Sequence, residues 1–216
     1  ASNESQAQSY RMQIQYRLDH GMLPKSIHYA VLPDPDGKRV GSGGATLNVL
    51  RYIHQDAGSF DDKRILVIHS GGDSKRVPQY SACGKLFSPV PRLLPNGRRS
   101  TLFDEFMISM CGVAARIRAG MLVCSGDVLL LFNPLQIDFY GSGAAALSIK
   151  EPAEIGKNHG VYRVDEQGNV GGFLHKKTVD QLHELQAADE NGNVDIDTGA
   201  VIMDTDLLKA LYKLVD

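Results

Sequence analysis

Runs of basic residues are missing from this sequence. Its 23 Lys and Arg against 25 Asp and Glu leave a formal net charge of -2 over 216 residues. No stripe of cations is available to neutralise a phosphate backbone, so no nucleic-acid partner is expected. Cysteine is sparse as well. Cys83, Cys111 and Cys124 are odd in number, widely spaced, and lack both CxxC pairing and a histidine at metal-ligand spacing. A disulfide framework is therefore not encoded, and a reducing, cytoplasmic setting fits best. Long apolar runs are also absent: no stretch reaches the roughly 18 residues that a bilayer span needs, and the opening ASNESQAQSYRMQ is polar rather than signal-like. No membrane association is expected. What is left is a globular composition, 43% hydrophobic and 22% charged, long enough to bury a substantial core and suited to a small-molecule partner. The chain begins without Met and stops inside the helical pattern DTDLLKALYKLVD, which no Gly or Pro closes. It reads as a piece of something longer.

Residues 1–24 read as an N-terminal helix, with Tyr10, Ile14 and Leu18 at i, i+4 spacing and Gly21 and Pro24 as the stop. Residues 25–216 read as one mixed α/β unit. SIHYAVLP (26–33), RILVIHS and GMLVCSGD have the continuous apolar character of buried strands, and TLNVLRYIHQ and TLFDEFMISMCGVAARI the pattern of helices. Apolar strands alternating with helices predict a mostly parallel central sheet with helices on both faces, and functional loops at the strand C-terminal ends. The second half adds the strands AALSIK, HGVYRVDEQGNVGGFLHK, folded at the turn DEQG, and NVDIDTGAVIMD, with the helices VDQLHELQ and LLKALYKL between and after them.

Two glycine-rich stretches follow successive predicted strands. In GSGGAT the residues Gly41, Ser42, Gly43, Gly44, Ala45 and Thr46 could cradle an anion on backbone N–H groups or make a plain strand-to-helix turn. The stretch lacks the Lys-Ser or Lys-Thr of a P-loop and the spacing of the dinucleotide fingerprint, which counts against ATPase and NAD readings. The second stretch, GGDSKRVPQYSACGK, adds Arg76 and Lys85 to Gly71, Gly72, Asp73 and Ser74. A glycine turn with two cations suits a nucleoside triphosphate, whose charge grows on the departing pyrophosphate; two solvated surface cations are the alternative. Asp127, at the end of MLVCSGD, offers a hard oxygen of the kind Mg²⁺ takes, or a turn cap. Asp204-Thr205-Asp206 has the form of a metal-holding D-x-D string but stands before an apolar helical pattern, where capping explains it better. His159, His175 and His183 share no metal-building spacing.

GGDSKRVP with the later GKLFSPV resembles the sugar-1-phosphate nucleotidyltransferase signature, a G-G-x-G-T-R loop followed by P-K. GSGGATLNVL, IHSGGDSKRVPQYSACGK and GGFLHKKT together are similar to the L-fucose-1-phosphate guanylyltransferases, or GDP-fucose pyrophosphorylases, including those fused to an L-fucokinase. The resemblance runs over roughly residues 25–205. Asp73-Ser74-Lys75 stands where the wider superfamily has x-G-T, and Gly84, not Pro, precedes Lys85.

The resemblance implies a Rossmann-like nucleotide-diphospho-sugar transferase fold, incomplete if the chain ended at Asp216. It implies transfer from GTP to L-fucose 1-phosphate, giving GDP-L-fucose and pyrophosphate with Mg²⁺. Arg76 and Lys85 would hold the β- and γ-phosphates, the amides of Gly71 and Gly72 would line the triphosphate, and GSGGAT would lie beside the nucleotide. Lys176 would hold the sugar phosphate, with Lys177 as a competitor, and Thr198 and Gly199 would approach the sugar. Asp127 would bind the metal, joined by Asp197, with Asp195 as the alternative. A UDP-sugar pyrophosphorylase or a non-catalytic nucleotide-binding fragment are the other readings. A sugar kinase would need its own glycine-serine ATP loop, and none is present.

Overall fold

The computed structural model describes residues 1–70, 78–80, 84–114, 116–136, 139 and 142–215. The chain divides into two compact units: Ala1–Ala144 with Ile202–Asp216, and Ala145–Val201. Among the described residues no helix is long and apolar enough to cross a membrane.

The first unit opens with α1 (Glu4–Asp19), whose N-cap Asn3 accepts a hydrogen bond from the Gln6 N–H. Its buried face is Gln6, Ala7, Tyr10 and Arg17, more polar than the expected apolar stripe. α2 (Gly41–Ala57) follows and ends where Gly58 turns left-handed. β1 (Arg64–His69) then pairs in parallel with β4 (Gly120–Ser125), from Arg64 opposite Gly120 to His69 opposite Ser125. Between them lie the antiparallel ribbon β2 (Pro89–Leu93) and β3 (Arg99–Thr101), and α3 (Leu102–Ala114). The chain returns to this unit at α6 (Thr205–Tyr212), capped by Asp204, whose carboxylate accepts from the Leu207 N–H. Capping, not metal holding, is thus the structural task of Asp204. Leu50, Phe60, Val67, Met121 and Leu208 form the core that α2, β1, β4 and α6 share.

The second unit is a small antiparallel layer with two short helices. It contains β5 (Ala144–Pro152, starting at the last residue of the first unit), α4 (Ala153–Gly156), β6 (Gly160–Val164), β7 (Val170–His175), α5 (Val179–Glu184) and β8 (Asn193–Met203, whose last two residues return to the first unit). β6 pairs antiparallel with β7 and with β8. The β6–β7 turn is tied by Asp165, whose Oδ1 accepts from the Gln167 and Asn169 N–H groups. α5 starts on a capping box between Thr178 and Gln181. Ala153, Val161, Leu182, Ala187, Val194 and Ile196 make this unit's own core.

Three expectations change. The strand pairing is mixed and mostly antiparallel, not mostly parallel: β1 with β4 is parallel, whereas β6 with β7, β6 with β8 and β2 with β3 run antiparallel. Residues 26–33 form no strand. Three carbonyls at the end of this run have other donors: Arg11 Nη2 donates to Val31 O at 2.9 Å, Asn48 Nδ2 to Pro33 O at 3.3 Å and the Ala1 ammonium to Leu32 O at 2.8 Å. A run with these acceptors taken has fewer to offer a neighbouring strand. Lastly, GSGGAT is not a loop before the helix but the first turns of α2 itself.

Candidate active site

Parallel pairing of β1 and β4 ends at His69 and Ser125, so the residues after them leave the strands side by side. Gly126 N–H donates to His69 O at 2.8 Å. A Cβ on Gly126 would sit 2.9 Å from that same oxygen and 3.1 Å from Ser70 Cβ. Glycine is therefore what lets β4 turn close under the end of β1 and present Asp127. Asp127 Oδ1 accepts from Ser125 Oγ at 2.8 Å, and Oδ2 accepts from Lys85 Nζ at 3.2 Å. Partial burial pushes the Asp127 carboxyl up, but the bonds from Ser125 and Lys85 outweigh it and hold it below the ordinary value. It stays ionised. Lys85 opens a short 3-10 turn, Lys85–Phe87, seated by the buried side chains of Leu86 and Phe87. Two residues 42 positions apart, assigned from sequence to neighbouring tasks, thus stand as an ion pair whose side chains are 37% and 50% exposed.

Gly41, Ser42 and Gly43 are exposed at the start of α2, Gly44 and Ala45 half-buried and Thr46 buried. The N-cap, Val40, offers no side-chain hydrogen bond to the first-turn N–H groups. A Cβ at Gly43 would meet nothing within 4 Å. Thr46 is the member of the stretch that is tied inward: its hydroxyl donates to Ser42 O at 2.9 Å and lies 2.9 Å from His69 Nε2. Burial lowers the His69 pKa from its ordinary value, which favours the neutral imidazole. Sequence reasoning passed over His69. Its signal was positional, the last residue of an apolar strand directly before the second glycine stretch.

Gly71, Gly72, Asp73, Ser74 and Arg76 lie outside the described residues.

In the second unit one candidate follows β7 and the others lie along β8. Lys176 follows β7, and its backbone takes φ +50 while its N–H donates to His159 O at 3.0 Å. A left-handed conformation in a lysine is uncommon and costs of order 1 kcal/mol. The side chain is exposed. Asp197, on β8, accepts from Tyr162 Oη and from the Gly199 N–H, both at 2.8 Å and both on Oδ1. Burial and then the bond to Asp197 drive the Tyr162 phenol far above its ordinary pKa. Thr198 Oγ1 donates to Leu147 O at 2.7 Å, so this side chain is spent on the sheet. Asp195 is 9% exposed and occupied on both oxygens, by Ser148 Oγ at 2.9 Å and Lys150 Nζ at 3.1 Å.

Among the described residues no three His, Cys, Asp or Glu side chains gather into a metal site. Asp127 and Asp197 are not members of such a group, and Mg²⁺ is commonly bound by one or two carboxylates together with substrate phosphates.

Taken together, fold and geometry describe a mixed α/β protein with a cation–carboxylate pair at the carboxyl edge of two parallel strands. The fucose pyrophosphorylase domain pattern matches residues 57–216, and the chain belongs to this family. It is 30% identical over 236 residues to a bifunctional fucokinase/GDP-fucose pyrophosphorylase of Arabidopsis thaliana, a match covering 93% of this chain and 22% of the relative. To a fucose-1-phosphate guanylyltransferase of Mus musculus it is 31% identical over 202 residues, covering 87% of this chain and 34% of the relative. An L-fucokinase/L-fucose-1-P guanylyltransferase of Bacteroides fragilis shares 42% over 66 residues, which is 27% of this chain and 7% of the relative. The chain therefore spans about a third or less of the length of these curated relatives.

Proposed function

We propose that this chain supplies the nucleotidyl-transfer site of a fucose-1-phosphate guanylyltransferase: GTP and L-fucose 1-phosphate give GDP-L-fucose and pyrophosphate. The observation that carries the reading is the Lys85–Asp127 pair at 3.2 Å beyond β1 and β4, inside the family-matched residues. The order β1, α3, β4 with parallel pairing supports a Rossmann-like nucleotide-binding core for the domain 25–216.

The sugar phosphate is already an anion and attacks the α-phosphorus in line, so no covalent protein nucleophile is required. The protein's work is to bring two polyanions together and to offset charge as pyrophosphate leaves. Lys85 would exchange its carboxylate partner for the β- and γ-phosphates, assisted by Arg76 and the amides of Gly71 and Gly72. Mg²⁺, when bound, would supply charge neutralisation at the phosphates. Asp127, released from Lys85 and already ionised, would hold it, with Asp197 the second candidate through Oδ2, the oxygen opposite its two hydrogen bonds. Lys176 would take the sugar phosphate; its strained backbone supports it over Lys177. Gly199 would bring backbone near the sugar, and Thr198 would hold the strand through its own bond to Leu147. Residues Gly41 to Thr46, with Asp73 and Ser74, would lie beside the nucleotide.

The longer protein would work in the cytoplasm and, as the names of two relatives state for those proteins, join this activity to a fucokinase. Full-length protein should release pyrophosphate from GTP and L-fucose 1-phosphate faster than from other pairs in a matrix of nucleotides and sugar 1-phosphates. Preference for UTP would move the assignment to a UDP-sugar enzyme, and GTP binding without turnover to a binding fragment. Lys85→Ala should lower turnover by roughly 10²; near-wild-type pyrophosphate release from that variant would remove Lys85 from the site.

A further inference from the structure

α1 lies upstream of the family-matched residues 57–216, yet it reaches the turn that carries Lys85. Tyr10 is 4% exposed, its ring packs on Phe87 with centroids 5.2 Å apart, and its hydroxyl is 2.8 Å from Ser70 Oγ. Ser70 directly follows β1. Gly84 directly precedes Lys85 and takes φ +64 under the same phenol: a Cβ there would lie 1.9 Å from Tyr10 Oη and 2.9 Å from Cζ. One side chain of α1 therefore contacts the residue after β1 and fills the space above the residue before Lys85. The same two facts explain why glycine stands at 84, where the resemblance led one to expect proline. Proline is locked near φ of about −65°, and any side chain at this position would meet the phenol.

The helix that brings Tyr10 is itself fixed. Arg17 donates to both carboxylate oxygens of Asp104, Nε to Oδ1 at 2.7 Å and Nη2 to Oδ2 at 3.1 Å. Its guanidinium lies 5.1 Å and 5.5 Å from the ring centroids of Phe87 and Phe103. Phe87 is thus gripped by both Tyr10 and Arg17, and Phe87 closes the turn that Lys85 opens.

We propose that Tyr10 is a positioning residue for Lys85: the phenol, anchored on Ser70 and Phe87, sets the Gly84–Lys85 turn and so aims the ammonium at the place where Asp127 meets it. The proposal rests on the reading of Lys85 as a phosphate ligand. Its test pairs kinetics with a readout independent of that reading, in the full-length protein, for Tyr10→Phe, Gly84→Ala and the double variant.

Tyr10→Phe keeps the ring on Phe87 and removes only the hydroxyl. The amides of Leu86–Ser88 should exchange hydrogen faster while those of α1 keep their protection. Turnover with GTP should fall about fivefold, the factor one net hydrogen bond is worth, with KM for L-fucose 1-phosphate unchanged. Gly84→Ala should be more damaging than Tyr10→Phe, yet less damaging in the Tyr10→Phe background, where the nearest clashing atom is gone. Unchanged exchange at Leu86–Ser88 in Tyr10→Phe, or strict additivity of the two substitutions in unfolding free energy, would overturn the proposal. If wild-type protein turns over no GTP, the assignment of Lys85 falls, and exchange and additivity still decide whether Tyr10 sets the turn.

Discussion

The two units each offer one candidate metal-binding aspartate, and they hold it differently. Asp127 is held by opposite charge: each oxygen has its own donor, and one donor is the Lys85 ammonium that phosphates would also attract. Asp197 is held by neutral donors, a phenol and a backbone N–H, both on the same oxygen. On the proposed function, a site of the first kind would exchange partners when substrate arrives. A site of the second kind is already arranged, with both bonds on one oxygen and a tyrosine so disfavoured as an anion that it remains a donor. The contrast extends to the scaffolds. The first unit buries the Arg17–Asp104 ion pair with side-chain exposures of 5% and 8%, while among the described residues of the second the donors to Asp197 are a phenol and a backbone N–H.

The contrast is most severely tested at the buried pair. Asp104→Ala should cost about 3–5 kcal/mol in urea unfolding, because it strands a buried guanidinium, whereas Tyr162→Phe in the second unit should cost about 1 kcal/mol. Equal losses would erase the distinction between charge-held and neutral scaffolds. Next comes Lys176→Gly, which should raise KM for L-fucose 1-phosphate roughly tenfold, the worth of a charge-assisted hydrogen bond. Glycine accepts the left-handed backbone, so the variant should melt with the wild type; an unchanged KM would transfer the role to Lys177. A pH dependence distinguishes His69. Its folded-state pKa lies below the ordinary 6.5, so the unfolded chain binds the proton more readily. Stability is then fully present above that value and is lost as pH falls through the folded pKa. Parallel denaturation of wild type and His69→Gln on acidification should show wild type losing ground; parallel curves would mean the imidazole is not sensed. Smallest in stability is Gly43→Val, since a Cβ there enters open space. The fold should stay within about 0.5 kcal/mol while GTP affinity, read by calorimetric titration, weakens; unchanged affinity would leave GSGGAT a plain helix start.

Strands β1 and β4 were legible as unbroken apolar runs, although β4 is mostly buried while β1 buries only Val67, and the β6–β7 hairpin because DEQG announces its turn. The same apolar signal failed at residues 26–33, where Arg11 and Asn48 take two of the carbonyls a partner strand could use. The mostly antiparallel outcome was hidden because strand direction depends on pairings that hydropathy does not encode. GSGGAT looked like a loop because glycine disfavours helices, yet Gly41 begins α2, and Thr46 fastens its first turns to His69. Lys85 could be named a candidate from the glycine stretch that leads to it and Asp127 from its place after a strand; that they touch could not be read. Tyr10 and Gly84 were invisible for a further reason. Their relation is steric, across distant segments, and a hydroxyl filling the room of a missing Cβ leaves no periodic trace.

The Arg17–Asp104 pair bears on where this domain begins. The family pattern starts at residue 57, but a protein started there would keep Asp104 and the rings of Phe87 and Phe103 while discarding the guanidinium that lies against all three. It would present a carboxylate without its counter-ion and a bare aromatic patch, and would be prone to precipitate. The first residue of that pattern is therefore no edge of the packed unit: its cohesion takes in the helix that starts at Glu4, and the relatives that align over 93% and 87% of the chain also extend upstream of residue 57.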